Sequence, residues 1–457
     1  MADRFNYSDE GSSVAAATVR VGSREPLLEV PRESGCSRRR LRLPALILAA
    51  ALPLLTLSKT RGEDQAVYRY ESYAEDHGRI SIATHSALFE KKLSNVLSVK
   101  GEYVYDSISG ATPSGGPTVD QIKNRDPFSF PATATGSVVG MKTLLNGDIR
   151  RAGSGELGIK LGNHRFAPQF SYSEESDYLS RGYGLNYSWD FNEKNTTLNA
   201  GWAHTYDSIP SSPGFMARFK DTQHKTADDF FVGVNQLLGP KTVLTFNVSY
   251  GNSYGYLSDP YKGVLFQDYQ QSNVDPNLFT LEEDTRPRHK HKYVGYTSLT
   301  QYITPLHASV EGSYRLYYDS FGILAHTIGV SWHQKVGKFL TLSPSFRFYH
   351  QSAADFYYAN GVPGDLSLYN ADPTIPIFGG PNDGLPNPAP PAAYSSDYRL
   401  SEMNSYTYGI HALVKLHEHF GIDLGYQRYS MEGLDGVTSV SAYPEAHIVT
   451  LGARVWF

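Results

Sequence analysis

The chain has one cysteine and only one extended apolar run. With Cys36 as its sole cysteine, it cannot form an internal disulfide framework. Mean hydropathy is −0.38 and no stretch of about 20 consecutive apolar residues is present, so a bundle of membrane-spanning helices is excluded. The formal net charge of −5 also argues against nucleic acid as a partner, because binding phosphate requires a basic surface.

Motifs that carry common chemistry are absent as well. The sequence has no phosphate-binding loop, no dinucleotide fingerprint and no haem-attachment motif. Serine, histidine and aspartate are plentiful, but no spacing singles out a catalytic triad or a carboxylate pair. We therefore predict that the protein is not an enzyme, with no catalytic residue, no cofactor and no metal site.

Aromatic residues and glycine are abundant instead, and they alternate with polar residues. Aromatics make up 13% of the chain, including 33 tyrosines, beside 41 glycines. Between Leu179 and Phe191, large apolar side chains occupy every second position while Gly, Ser, Asn and Asp fill most of the others. Because successive strand residues point to opposite faces, this pattern predicts one apolar face and one small, polar face.

At least six such runs occur, and they are about 10–14 residues long, which is long enough for a tilted strand to cross a bilayer. Short turns are expected near 90–92, 162–164, 192–195, 239–241, 303–305, 336–338 and 417–419. Loops are expected near 76–78, 107–147, 174–178, 209–226, 255–290, 319–322, 352–397 and 430–446. These connections predict an all-β, antiparallel transmembrane barrel of about sixteen strands (fourteen to eighteen) with both termini in the periplasm. A secreted β-sandwich or propeller is the alternative, but its strands would be shorter.

The N-terminal part has the character of a targeting segment. Arginines 38, 39, 40 and 42 precede the apolar run Leu43–Leu57, which is too short to span a membrane as a mature helix. We expect residues 1–62 to be an extension plus signal peptide, with its apolar region at 43–57. Residues 63–457 are then a single barrel domain in the outer membrane of a Gram-negative-type bacterium.

The last strand carries the pattern of an assembly signal. Thr450, Gly452, Val455 and Phe457 match the polar-x-Gly-x-x-apolar-x-apolar ending of outer-membrane barrel proteins. The expected partners are therefore the barrel assembly machinery, outer-membrane lipid and lipopolysaccharide.

Charged and histidine residues are expected on the inward face of the strands. The candidates for lining a pore are Lys100, Glu102, Asp190, Glu311, Arg315, Arg347, His333, His411, Lys415 and Arg454. Rings of charge set selectivity in pores, but such residues can equally pair across strands and hold the wall. Counting Asp106, Asp207, Asp319 and Asp423 as well gives an excess of acids over bases that leans weakly toward cations.

Other polar clusters have an ordinary interpretation beside a functional one. His289 with His291, and His417 with His419, have the i, i+2 spacing of a strand metal site, but solvated polar residues explain them better. The acidic run 282–284 lies near Arg286, and we interpret it as a self-neutralising loop cluster in preference to a calcium site. The segments 259–261 and 352–355 are expected to fix the exits of loops, with ligand recognition as the alternative.

Several stretches resemble a bacterial family known only as a domain of unknown function. They are 68–73, 108–113, SYSEESDYLSRGYGLNYSWDFNEKNTTL (171–198), GYLSDPYKGV (255–264), YRLYYDSFGILAHT (314–327) and RFYHQSAADFYY (347–358). The resemblance covers nearly the whole chain after residue 62. It implies an outer-membrane location and no activity, ligand or catalytic residue. It also implies an association with a small lipoprotein and with redox proteins.

Three functions are consistent with these observations. A porin-like channel for small hydrophilic solutes or ions is favoured, because about sixteen strands leave an aqueous interior. The alternative is a barrel scaffold in a cell-envelope redox or metal-handling assembly, with a small lipoprotein as a partner. An outer-membrane hydrolase is the least favoured.

Overall fold

The structure is a computed structural model that describes residues 64–113, 141–210, 221–267, 279–359 and 391–457. Sixteen antiparallel strands close into one barrel. In order they are β1 (Gln65–Glu75), β2 (Ser81–Lys92), β3 (Leu97–Pro113), β4 (Met141–Leu161), β5 (His164–Glu174), β6 (Leu179–Phe191), β7 (Thr196–Ile209), β8 (Gln223–Gly239), β9 (Thr242–Gly255), β12 (His289–Ile303), β13 (Ala308–Asp319), β14 (Leu324–Val336), β15 (Leu340–Gln351), β16 (Met403–His417), β17 (Phe420–Gly433) and β18 (Glu445–Trp456), while β10 (Gly263–Gln267) and β11 (Phe279–Glu283) form a separate hairpin. Five 3-10 turns lie at Asp76–Gly78, Asn192–Lys194, Thr304–Leu306, Tyr398–Leu400 and Val440–Ala442.

The barrel closes where β1 pairs with β18. The pairing runs from Gln65 opposite Trp456 to Glu75 opposite Ala446 without a break. Because each of the sixteen barrel strands has a neighbour on both sides, the barrel itself leaves no backbone edge open to lipid. The predicted strand number of sixteen is confirmed.

The two ends of the barrel differ in their connections. At the end that holds residue 65 and residue 457, which we call the terminal end, seven short turns join the strands. At the opposite end, which we call the loop end, the connections range from the four residues after Asp319 to the long segment between Gln351 and Met403. The predicted turns and loops match these connections to within a few residues. There are two exceptions. The strands β3 and β4 reach into the predicted loop 107–147, because β3 ends at Pro113 and β4 begins at Met141. The hairpin β10–β11 was not predicted.

The outer face of the barrel is apolar and aromatic. Its strands carry exposed large side chains such as Phe170, Tyr183, Val232, Tyr408 and Leu451. In a water-soluble protein such a surface would aggregate, but it suits hydrocarbon, as in transmembrane barrels. Among the described residues, no helix is long and apolar enough to cross a membrane. The apolar outer face marks the strands as the membrane-spanning elements, and the protein is an outer-membrane β-barrel.

The predicted assembly signal splits between the two faces of β18. Thr450 faces the lumen, where its hydroxyl donates to Glu71 over 3.3 Å, and Gly452 shares that face. Val455 and Phe457 point outward. The Phe457 ring stacks on Phe89 with centroids 6.1 Å apart, and the Lys91 Nζ atom lies 4.9 Å from its centroid. Recognition of these residues by the assembly machinery stays a prediction.

Residues 1–63 lie outside the described residues, so the predicted extension and signal peptide, with their boundary at residue 62, stay predictions.

Candidate functional site: the lumen and its loop cap

Loop segments fold together over the loop end of the barrel. We call segments 256–262, 284–288, 320–323, 352–358 and 391–402 the loop cap. Its apolar centre contains Phe321 and Phe356, whose rings meet edge to face at 5.0 Å, together with Ile323, Ala354 and Leu400. This is the largest buried apolar cluster in the described part of the chain, so the fold keeps its core in the cap rather than in the barrel wall.

Tight local turns place the polar residues of the cap. Asp319 closes the turn after β13 by accepting the backbone N–H groups of Phe321 and Ile323 over 2.9 and 3.2 Å. Asp397 begins the 3-10 turn Tyr398–Leu400 and accepts the N–H of Arg399 over 3.2 Å. Short acidic side chains are suited to these turns because they bond to the backbone two residues further on.

A buried ion network joins two of the cap's loops. Arg399 donates to Asp259 over 2.6 Å and, through Nε, to Asp397 over 2.9 Å. Arg286 donates to Asp284 over 2.7 Å and to Asp397 over 2.9 Å. Asp284 also accepts the backbone N–H of Asp259 over 2.8 Å. The network therefore ties the loop after β9 to the loop after β15, which lie about 140 residues apart in sequence.

The charges of the network are nearly balanced. Burial alone would raise the pKa of the Asp397 carboxyl, but Arg399, Lys262 and Arg286 outweigh it and hold that pKa far below its usual range. In the same way burial raises the pKa of Asp259, and Arg399 and Lys262 lower it further than burial raises it. At Asp284 burial prevails over Arg286, so the pKa of that carboxyl is raised. Asp397 and Asp259 therefore stay ionised inside the cap.

The cap is anchored at points far apart around the rim. Tyr261 donates a short hydrogen bond to Asp177 in the loop between β5 and β6. On the other side, the hydroxyls of Ser401 and Tyr443 lie 2.7 Å apart, which connects the cap to the loop between β17 and β18. Since these anchors lie on well-separated parts of the rim, the cap crosses the mouth of the barrel.

Below the cap, the lumen becomes more open toward the terminal end. Lumen-facing Asp319, Gln351 and Ser405 are buried at the loop end. Nearer the terminal end on the same strands, Arg315, Ser345 and Lys415 are exposed. Because the exposed side chains point inward, the space they face is not filled by protein within the described residues.

The structure places all ten predicted pore-lining residues on the inward face of their strands. Lys100 lies near the terminal end, opposite Glu90 on β2 and Glu156 on β4. Glu156 also accepts a hydrogen bond from Arg165 over 2.6 Å, so these four charged side chains form a row across neighbouring strands. Thr197 donates to Asp190 over 2.7 Å, and Thr300 to Glu311 over 3.2 Å. Three of the ten lie over aromatic rings: Arg347 over Tyr349, and Lys415 and Arg454 over Trp456. Glu102 lies in the middle of β3, opposite Leu88 and Ser154.

A second row brings the two lumen histidines together. His333 Nδ1 lies 2.9 Å from the Ser343 hydroxyl, and Ser343 is the direct neighbour of His411 on β16. His411 Nε2 lies 3.4 Å from Asp423, whose other oxygen is 3.7 Å from Arg454 Nε. The row thus runs across five strands, in which His333 contacts the Ser343 hydroxyl and His411 contacts the Asp423 carboxylate.

Sequence reasoning missed the bases that pair with lumen acids. Ion pairs join Arg150 to Asp106 (3.0 Å), Lys225 to Asp207 (3.0 Å), Lys290 to Asp319 (2.8 Å) and Lys292 to Asp229 (2.7 Å). Lysines 225, 290 and 292 lie at the ends of runs, where strand alternation is hard to distinguish from loop. The count of lumen acids and bases that suggested a preference for cations did not include these basic residues. The wall of the lumen is therefore closer to charge balance than that count indicated.

The structure places the remaining candidate clusters in loops, at a strand end and in a turn. Asp284 pairs with Arg286, and Asp259 bonds the N–H of Tyr261 over 3.0 Å, as the structural interpretations predicted. His289 and His291 point outward with ring centroids 5.0 Å apart, while His417 and His419 are exposed in a turn.

One acidic cluster was not anticipated. Asp148, Glu175 and Asp177 each offer a carboxylate oxygen within 4.8 Å of the others. Such oxygens suit hard divalent cations. Asp148 accepts from Ser176 over 3.1 Å, and Asp177 accepts from Tyr261, so the cluster also fastens the cap to the rim.

Known structures with a similar shape are outer-membrane proteins. The siderophore receptor PirA from Acinetobacter baumannii is 13% identical with a TM-score of 0.40, and the match covers 82% of this chain and 54% of that one. A bacterial polysaccharide outer membrane secretin is 8% identical with a TM-score of 0.43 over 87% and 100% of the two chains. OmpT of Vibrio cholerae is 9% identical with a TM-score of 0.38 over 86% and 98%.

These similarities are too low to say what the chain binds, and the chain spans only about half the length of that siderophore receptor. No curated protein matches the sequence. A family model does match, over residues 41–451, which is most of the chain and agrees with the resemblance noted from the sequence. The chain belongs to the family described as "Protein of unknown function (DUF3570)".

Proposed function

We propose that the protein is a loop-gated channel for small hydrophilic solutes or ions, with its loop end facing the cell exterior. The observation that carries this proposal is the gradient of exposure inside the barrel. Lumen residues such as Arg315 and Lys415 are exposed, whereas those beneath the cap, such as Asp319, are buried. A polar vestibule that the described residues leave unfilled, under a folded cap, is suited to restricted passage.

The size of the barrel supports the same conclusion. Eight strands enclose a space that side chains fill, whereas sixteen to eighteen leave an aqueous interior. The interior wall here carries cross-strand ion pairs and hydroxyl contacts, which tolerate water. The cap then becomes the element that limits the size and charge of what passes.

Planar-bilayer recording tests the proposal. Purified protein that migrates as a folded, heat-modifiable barrel is inserted into the bilayer, and single-channel current is recorded in potassium chloride. We expect discrete, stable steps, and the reversal potential under a salt gradient would report the charge preference. A folded barrel that stays silent, both as wild type and with its cap loosened as described in the Discussion, would refute the channel.

The scaffold remains the second candidate because the cap crosses the mouth. If the barrel does not conduct, the loop cap serves as a binding surface for a partner and not as a restriction on flow. Co-purification of a small lipoprotein, or metal measured in the purified protein, would then support the scaffold.

A further inference from the structure

Tyrosine and histidine form a repeated pair on the outer face of the barrel. In six places a tyrosine hydroxyl lies 2.7–2.9 Å from the Nδ1 atom of a histidine on the next strand. The pairs are Tyr68–His85, Tyr187–His164, Tyr206–His224, Tyr250–His291, Tyr314–His326 and Tyr426–His447. Each is a diagonal pair, and in all but Tyr68–His85 the histidine lies nearer the adjacent end of the barrel than the tyrosine.

This arrangement locates the boundary of the membrane. Tyrosine places its ring in hydrocarbon and its hydroxyl toward water, and the more polar histidine lies one step further out. Four of the six pairs are at the loop end, Tyr68 with His85 lies near the middle of β1 and β2, and His164 with Tyr187 is at the terminal end. Outward residues level with the four loop-end pairs therefore meet lipid headgroups.

Two arginines lie on this level. Arg151 on β4 is paired with Glu174, the last residue of β5 at the loop end. Arg181 on β6 is paired with Tyr206, which bonds His224. Both arginines are exposed on the outward face, and they lie two strands apart with an offset of two residues along the strands, or about 12 Å.

Neither arginine has a carboxylate within ion-pair distance among the described residues. The nearest acid in the register is Glu174, opposite Arg151, and it accepts from Tyr172 over 3.3 Å. By contrast, Arg428 at the same end is bonded to Asp76 and to Glu445. A guanidinium at the edge of hydrocarbon is stabilised by an anion, and its planar fork matches phosphate.

We propose that Arg151 and Arg181 bind the phosphate groups of a phosphorylated glycolipid in the outer leaflet. This inference rests on the orientation given with the proposed function. Tyr172 on β5 and Tyr206 on β7 are the register neighbours of Arg181, and in this site they pack against the sugar and the first part of the acyl chains. The site takes one lipid molecule that bridges β4 and β6.

The test measures lipid binding to purified, delipidated protein in detergent by native mass spectrometry. The probes are bisphosphorylated lipid A, its dephosphorylated form, and inorganic phosphate alone. We expect Arg151→Gln/Arg181→Gln to weaken binding of the bisphosphorylated lipid by about tenfold or more, since each lost charge-assisted hydrogen bond is substantial. The matched control is Lys241→Gln/Lys338→Gln, which removes two exposed charges from terminal-end turns and should leave binding unchanged.

Three results would overturn the proposal. They are equal binding by the double arginine variant and the wild type, equal binding of the dephosphorylated lipid, or saturation of the same site by inorganic phosphate alone. Heat-modifiable migration of both double variants shows that the barrel is folded in each case. Because the measurement is made in detergent and involves no current, its outcome is independent of whether the barrel conducts.

Discussion

Replacing Arg399 by glutamine should open the cap without unfolding the barrel. Arg399 bonds Asp259 and Asp397, and all three side chains lie within the cap. The variant leaves Arg286 and Lys262 to balance three buried carboxylates. Removing one partner of a buried ion pair costs about 3–5 kcal/mol. Because a tenfold change in an equilibrium corresponds to about 1.4 kcal/mol, the open population of the cap should rise by a factor of about 100 or more.

The loss of stability caused by Arg399→Gln should be confined to the cap, because the barrel is held by its own continuous backbone pairing. In planar bilayers we expect Arg399→Gln to give larger or longer current steps than the wild type. Limited proteolysis should cut the loop after β15 faster, while heat-modifiable migration stays the same.

The matched control is Arg428→Gln. This arginine bonds Asp76 at the outer surface of the rim and is partly exposed, so its loss should change stability by no more than about 1 kcal/mol. Equal current steps and equal protease half-lives for Arg399→Gln and the wild type would show that the ion network does not hold the cap.

Three further predictions concern the cap and the last strand. A Cβ on Gly433 would overlap the ring of Tyr443, so Gly433→Ala should loosen the cap and speed its proteolysis. The control is Gly295→Ala, whose added methyl has no atom nearby and should leave proteolysis unchanged. Equal rates of proteolysis in the two variants would contradict this prediction. The pKa of Asp397 is lowered, so its contribution to cap stability is present above the ordinary carboxyl pKa of about 4 and is lost as pH falls through the lowered pKa. The rate of cap proteolysis should therefore be the same from pH 7 to about pH 5. A sharp increase of that rate in this interval would contradict the assignment. Phe457→Ala should reduce the folded fraction recovered in outer membranes while leaving refolding in detergent intact, and a normal yield in cells would exclude the assembly signal.

Strand alternation was sufficient to predict most of the barrel. The run Leu179–Phe191 is β6 with the predicted bounds, because each of its faces meets a uniform environment of lipid or water. The ten inward positions follow from the same alternation. Local sequence carries this information because a strand's two faces repeat every second residue.

The cap could not be predicted in the same way. The contact between Arg399 and Asp259 joins two loops that have no periodicity, and its partners are distant in sequence. The hairpin β10–β11 was missed because its two short strands of five residues are separated by a long connection and lack a tight-turn signal. The pairing of Lys290 with Asp319 depended on where β12 begins, and strand boundaries are the least reliable part of sequence analysis.

The pairing of β1 with β18 has a consequence for how the barrel assembles. The first barrel strand, β1, has the last barrel strand, β18, as one of its two neighbours. The hydrogen-bonded pairing that closes the barrel therefore cannot form until β18 is available. Until then β1 exposes an unpaired edge, which is prone to wrong pairing. Contacts of such long sequence separation form slowly. Closure of the barrel therefore depends on its C-terminal strand.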